Sequence, residues 1–439
     1  MIIPRKRAFF SFIVLWLIAG NAVLASNYET KPDDPYFQKF EPLKAPSPRK
    51  HYLRENDRLA ICGDSITEQR MYSRIMETYL TVCAPELNVS VRQYGWSGEK
   101  APGFLARMTN DCLRFKPTIA TTCYGMNDHE YRIYEPAIGN LYSNTSIRII
   151  KDFEAQGARV IQGSPGCVGK KPSWSKATNA TTEDLNLNLC MLRNIDIEVA
   201  RKEKCGFADV FWPMLVEGHE AKLKYGDGYA LSGKDGVHPN WAGHLVMAYA
   251  FLHSFGLDGN IGTFTVDLRR KSAKVSKGHE LMGFSNGELR VVSHRYPFCI
   301  GEGDPSKDDN IRSGTMLVPF NQELNRFTLA VKHGTAKAYK ITWGEESRVY
   351  PAGELEEGVN LAADYGRNPF SEAFKKVDEA VAKKQEFETR QIKSIFHGKE
   401  GQADMEGAAA RTEKERAELV EAVKAAFVPV EHTIKIEAQ

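Results

Sequence analysis

A serine that follows a short apolar run, and a histidine three residues after an aspartate, are the parts of this sequence best suited to nucleophilic chemistry. Ser65 stands in Gly63-Asp64-Ser65-Ile66-Thr67-Glu68. A serine hydroxyl is a weak nucleophile and needs a neighbouring base. His238, in Asp235-Gly236-Val237-His238-Pro239-Asn240, is the candidate base. The three-residue offset lets Asp235 fold back onto the same imidazole, accept its Nδ1 proton and leave Nε2 to face Ser65. Read singly, each has a plainer meaning: a helix N-cap for Ser65, a surface turn for His238. Two other loops offer donors to a developing oxyanion. In Tyr94-Gly95-Trp96-Ser97-Gly98-Glu99, Gly98 allows close backbone approach, and in Tyr124-Gly125-Met126-Asn127-Asp128 the Asn127 amide is a donor. One such donor is typically worth about 10²–10³ in rate.

Apolar runs at 59–62, 89–94, 118–124, 159–163 and 208–211 read as strands. Between and after them, 72–83, 104–115, 147–154, 185–202 and 245–255 read as helices. Such alternation predicts a parallel sheet covered by helices on both faces. Sites in such folds lie at the carboxyl ends of the strands, where these polar loops fall. After Asp258 the pattern changes. Strands are expected at 263–266, 289–292, 327–331 and 338–343, helices within 370–396 and 412–427, and a last strand near 433–436.

The four loops, in this order, resemble the defining blocks of the SGNH hydrolases, also called the GDSL lipase/esterase family. The first block's Gly-Asp-Ser-Leu appears as Gly63-Asp64-Ser65-Ile66, and the third block's Gly-x-Asn-Asp as Gly125-Met126-Asn127-Asp128. The family's oxyanion glycine falls on Gly98, and its Asp-x-x-His on Asp235 to His238. The resemblance covers about residues 57–258. It implies a flavodoxin-like three-layer α/β/α sandwich, no cofactor or metal, and hydrolysis of acyl esters through an acyl-enzyme. It casts Ser65 as nucleophile, His238 as base, Asp235 as its orienting acid, and Ser65, Gly98 and Asn127 as the oxyanion hole. The form of the first block is similar to that of carbohydrate-active members, so the expected substrate is a small-molecule or polysaccharide ester, and the expected activity a carbohydrate O-acetylesterase. Asp64, Glu68, Trp96, Tyr124 and His129 are the candidate substrate-binding residues, with Tyr131 nearby. The alternatives are a lipase, thioesterase or acyltransferase of the same fold, or a glycan-binding protein whose C-terminal region is the binding module.

The 439 residues suggest two or three domains. We divide them into a signal peptide (1–25), an extended Pro-rich arm (26–56), the hydrolase domain (57–258), a β-rich accessory region (259–350) and a helical region (351–439). Arg5-Lys6-Arg7, an apolar stretch over 9–19 and Val23-Leu24-Ala25 read as a cleavable secretory signal. The expected location is therefore periplasmic or extracellular, with no membrane attachment after cleavage. The formal net charge is +2 and falls to −1 without the three basic residues of 1–25, which hold no acid. That balance argues against nucleic acid as a partner. Eight cysteines in an exported chain lead us to expect one to three disulfides, although Cys62 and Cys123, in apolar runs, suit buried free thiols.

Overall fold

The computed structural model describes residues 27–439, so the expected signal segment lies outside the described residues. Its first layer grows from short apolar strands: β1 (Arg58–Gly63), β2 (Ser90–Gln93), β3 (Ile119–Cys123), β4 (Arg159–Gly163) and β5 (Gly206–Ala208). They form one parallel sheet in the order β2-β1-β3-β4-β5. Alternate residues of each strand point to opposite faces, and both faces are buried. Leu59, Ile61, Ile119 and Ile161 share one core with α2 (Tyr72–Val82), α6 (Phe211–Tyr225) and α7 (Trp241–Ser254), whose contributions include Ile75, Met214 and Phe251. Ala60, Cys62, Ala120 and Val160 share the other with α3 (Ala101–Asp111), α4 (Pro136–Ala155) and α5 (Thr182–Glu203), through Phe104, Phe153 and Leu192. This is the flavodoxin-like α/β/α sandwich. Its strand order reverses between β1 and β3, which opens a crevice beyond their carboxyl ends. The one-turn α1 (Ser65–Glu68) stands there.

The C-terminal region adds two further sheets. One has the order β13-β10-β6-β7, from Val359–Asn360, Arg326–Lys332, Asn260–Asp267 and Ser272–Val275. The other has the order β12-β11-β14-β9-β8, from Glu346–Pro351, Ala338–Trp343, Val430–Ala438, Glu288–Ser293 and His279–Ser285. Phe327 of the first stacks on Trp343 of the second at 5.4 Å, and Phe264 meets the His432 ring at 6.0 Å.

Three expectations need correction. Phe211 does not end a strand; it begins α6, with Pro213 in the first turn, where a missing N–H costs no helical bond. The arm is more than an extended segment: Pro35–Lys39 forms a 3₁₀ turn that buries Phe37, and Phe37 and Phe40 pack on Trp212 of α6. All eight cysteines are free and buried, with no disulfide among them. Cys62 and Cys112 lie side by side in one core, and each of the eight serves as a small apolar side chain.

β2 is an edge strand, and an exposed edge invites unwanted pairing. Here charged side chains seal it. The carbonyl of Val91 accepts hydrogen bonds from Lys384 Nζ and Arg416, each at 2.8 Å, and the Gln93 N–H donates to Glu388 at 3.2 Å. Lys384 lies on the helix Ser371–Arg390 and Arg416 on the helix Met405–Ala426. Lys384 is itself buried between Glu388 at 2.6 Å and Glu77 of α2 at 3.1 Å. Breaking one member of a buried ion network leaves its partners uncompensated, at about 3–5 kcal/mol. Lys384→Met should therefore lose stability on that scale in urea denaturation; a loss below about 1 kcal/mol would contradict the account.

Candidate active site

The four predicted loops meet beyond β1 and β3. Ser65 opens α1, and Asp64 caps that turn by accepting the Ile66 N–H at 2.9 Å. Ser65 is half-buried, and its Oγ lies 2.8 Å from His238 Nε2. His238 Nδ1 lies 2.7 Å from Asp235 Oδ2, and the other oxygen of Asp235 accepts the backbone N–H groups of Val237 and His238, each at 2.9 Å. Burial alone would raise the Asp235 carboxyl, but these backbone donors and the imidazole outweigh it and hold it below its ordinary range. The aspartate therefore stays ionised and can fix the imidazole in the tautomer that leaves Nε2 free to take the Ser65 proton.

The β2 loop presses against α1. At Gly95 a Cβ would stand 2.2 Å from the Glu68 nitrogen, so only glycine allows this approach. Gly98 has φ +72° and no atom within 4 Å of where a Cβ would stand. The β3 loop closes from the other side. Asn127 donates through Nδ2 to the carbonyl of Glu99, next to Gly98, at 3.1 Å, and its Oδ1 accepts from the Tyr131 hydroxyl at 3.1 Å. Tyr131 thus sets which way the amide faces, and one Nδ2 hydrogen remains for a ligand.

The residues expected to bind substrate behave differently. Asp64, Tyr124 and His129 are buried. Asp64 is occupied as the α1 cap, and the Tyr124 hydroxyl donates to Glu99 at 3.0 Å. His129 is pushed down to about 4 by burial, against the backbone carbonyl of Met126 that its Nδ1 bonds. It is held neutral inside the loop. Glu68 and Trp96 are half-buried, and each is engaged by the C-terminal chain. Glu68 pairs with Lys393 at 2.7 Å, and the Trp96 ring meets His397 edge-on at 4.9 Å.

Sequence reasoning missed Trp174. It lies in the loop after β4, is 43% exposed, and its ring stands 6.0 Å from the His238 ring and 5.8 Å from Tyr131. A tryptophan in the polar stretch Lys171-Pro172-Ser173-Trp174-Ser175-Lys176 was the available signal. Among the described residues no group of three His, Cys, Asp or Glu side chains is placed to hold a metal ion, and no helix is long and apolar enough to cross a membrane.

Burial raises Asp64 to about 7, with nearby Asp128 and Glu99 adding to the effect against the Ile66 N–H. The folded chain then keeps a proton that the unfolded chain releases from about pH 4 upward, so this contribution to stability is full below about pH 4 and is lost as pH rises to about 7. Asn at this position keeps the cap but does not titrate. The melting temperature of Asp64→Asn, relative to the parent, should rise across that pH interval; a pH-independent difference would refute the assignment.

The GDSL-like lipase/acylhydrolase family model matches residues 61–246. No curated protein matches the chain in sequence. Among solved structures, a gut microbial diltiazem-metabolizing enzyme superposes with TM-score 0.71 at 20% identity, covering 90% of this chain and 100% of its own. The common fold therefore extends well past residue 246 into the C-terminal region. The acetylxylan esterase Axe2 from Geobacillus stearothermophilus aligns over 47% of this chain and 97% of its own, at 20% identity and TM-score 0.39. Loop order, sheet topology and the match over 61–246 agree: the chain carries a hydrolase domain of the GDSL-like lipase/acylhydrolase family.

Proposed function

We propose that the protein is a serine esterase that works through an acyl-enzyme, and that its substrate is an O-acetylated carbohydrate. The observation that carries the reading is the continuous hydrogen-bonded line from Ser65 Oγ through both ring nitrogens of His238 to Asp235. Ser65 Oγ attacks the ester carbonyl while His238 Nε2 takes its proton. The N–H groups of Ser65 and Gly98 and the Asn127 amide receive the oxyanion. As the tetrahedral intermediate collapses, the bond to the alcohol oxygen breaks and His238 gives that oxygen the proton. Water then attacks the acyl-enzyme, giving a proton to His238, which returns it to Ser65 as the carboxylic acid leaves. Asp235 stabilises the imidazolium in both halves.

The carbohydrate assignment comes from Trp174. The departing alcohol must lie on the imidazole side, because its oxygen receives the Nε2 proton. Trp174 packs beside that ring, so a group resting on its indole belongs to the alcohol half. A flat, partly exposed indole offers the C–H face of a pyranose ring a broad surface, with polar groups at its rim.

Ser65→Ala should lower turnover of p-nitrophenyl acetate by about 10⁴-fold or more without loss of fold by circular dichroism; activity retained by this variant removes Ser65 from the mechanism. Among p-nitrophenyl esters of rising chain length the parent should favour acetate, and a preference for eight or more carbons would sink the acetylesterase reading. Trp174→Ala should raise KM about tenfold for an acetylated oligosaccharide, which corresponds to about 1.4 kcal/mol. It should leave ethyl acetate hydrolysis unchanged, because that alcohol is too small to reach the indole. Equal effects on both substrates would remove the platform.

A further inference from the structure

Both neighbours of Gly98 are tied to one short segment of the C-terminal region. The helix Ser371–Arg390 runs into a π-helical turn, Gln391–Phe396, and π turns often mark functional positions. From that turn Lys393 Nζ donates to both carboxylate oxygens of Glu68, at 2.7 and 2.8 Å. Glu68 Oε2 in turn accepts the backbone N–H of Ser97 at 2.5 Å. A second line reaches the other neighbour. His397 bonds Asp111 at 2.8 Å, Asp111 pairs with Arg107 at 3.3 Å, and Arg107 holds Glu99 with two bonds of 2.7 Å. Trp96 sits between the two lines, with Lys393 5.2 Å from its ring centre and His397 edge-on. Ser65 and Glu68 are the two ends of α1, so the same clamp also reaches the turn that carries the serine.

We propose that Lys393 is a positioning residue of the active site: by holding Glu68 it fixes the Trp96–Ser97 peptide, and with it the next peptide, which carries the Gly98 oxyanion donor, relative to Ser65. The proposal rests on the reading of Gly98 as that donor. The segment 391–397 is therefore part of the catalytic apparatus, and the C-terminal region is not a separable binding module. The ion pair is only partly exposed, with Lys393 at 27% and Glu68 at 19%, so solvent screens it incompletely.

A loosened donor weakens transition-state stabilisation more than ground-state binding, which is read in kcat. With p-nitrophenyl acetate and the full-length chain, Lys393→Met should lower kcat by about 10- to 100-fold with KM within about twofold. Lys393→Arg, which can still bridge both oxygens of Glu68, should recover most of that loss. Glu68→Gln supplies the second test. If the two residues act through one link, Glu68→Gln/Lys393→Met should be no slower than the slower single variant by more than about twofold. Circular dichroism and melting temperature show whether each variant is folded; if Lys393→Met is not, Lys393→Arg and Glu68→Gln decide the matter. An active parent with kcat unchanged in folded Lys393→Met, or in Glu68→Gln, overturns the proposal. So does a loss confined to KM, or multiplicative losses in the double variant. A parent without activity on any ester instead overturns the esterase reading itself.

Discussion

The ammonium group of Lys384 is buried against two glutamates and the backbone of an edge strand, and much of the molecule's arrangement follows from that burial. A lysine in such a place is stable only with its charge matched. Glu77 comes from the helix that covers one face of the parallel sheet, and Glu388 from the same C-terminal helix as Lys384. Arg416, on the helix Met405–Ala426, completes the cluster by bonding Glu388 at 2.7 Å. These charges cannot be satisfied unless two distant helices lie in one register against β2. The cluster thus fixes geometry more than it adds net stability. Once the helix Ser371–Arg390 is seated, its continuation arrives beside the loop that follows β2.

That arrival links the two halves of the chain at the place where chemistry is concentrated. The crevice beyond β1 and β3 exists because the strand order reverses there, a property of the sheet alone. Loop conformations above the crevice are a separate matter. Short loops carry few contacts of their own and open easily unless something packs on them. The β3 loop is held by its own Asp128, whose oxygens accept the N–H groups of Gly125 within the loop and of Ala101 at the start of α3, each at 2.9 Å. The β2 loop has its outer side covered by Lys393 and His397 instead. A scaffold shared by many hydrolases is here finished by residues the scaffold itself does not contain.

Most of the core sheet and three of the four polar loops were legible because each rests on a local signal: an apolar run, then glycine, then a polar turn. Asp235 and His238, which follow no strand, were legible from their three-residue offset, itself a short-range geometric statement. Local signals also misled. Asp64, Tyr124 and His129 sit in motif loops and carry polar groups, yet their side chains turn inward, Asp64 and His129 to bond their own loops and Tyr124 to bond Glu99 of the β2 loop. Their sequence neighbourhood gives no sign of that direction. The strands β7, β8 and β12 went unread because they are largely exposed and mix charged residues such as Lys274, Glu280 and Arg348 with few apolar ones. Helix α6 was hidden by Phe211-Trp212-Pro213, which reads as a strand end although proline is harmless in a first turn. Lys393 and His397 had no local signal at all. Their role arises from a charged pair that spans 325 positions, and from a ring contact with Trp96.

The placement of β14 between β9 and β11 has a temporal side. Val430–Ala438 is the middle strand of its sheet, so the strands on either side have no mutual partner until it arrives. During synthesis the ribosome delivers β8, β9, β11 and β12 first, and they must wait as two unjoined hairpins. Their inner edges, the backbone of β9 and β11 that β14 later pairs, stay open through that interval. Until Val430–Ala438 is available, these open edges are liable to wrong pairing, which is the situation in which holding chaperones are most useful.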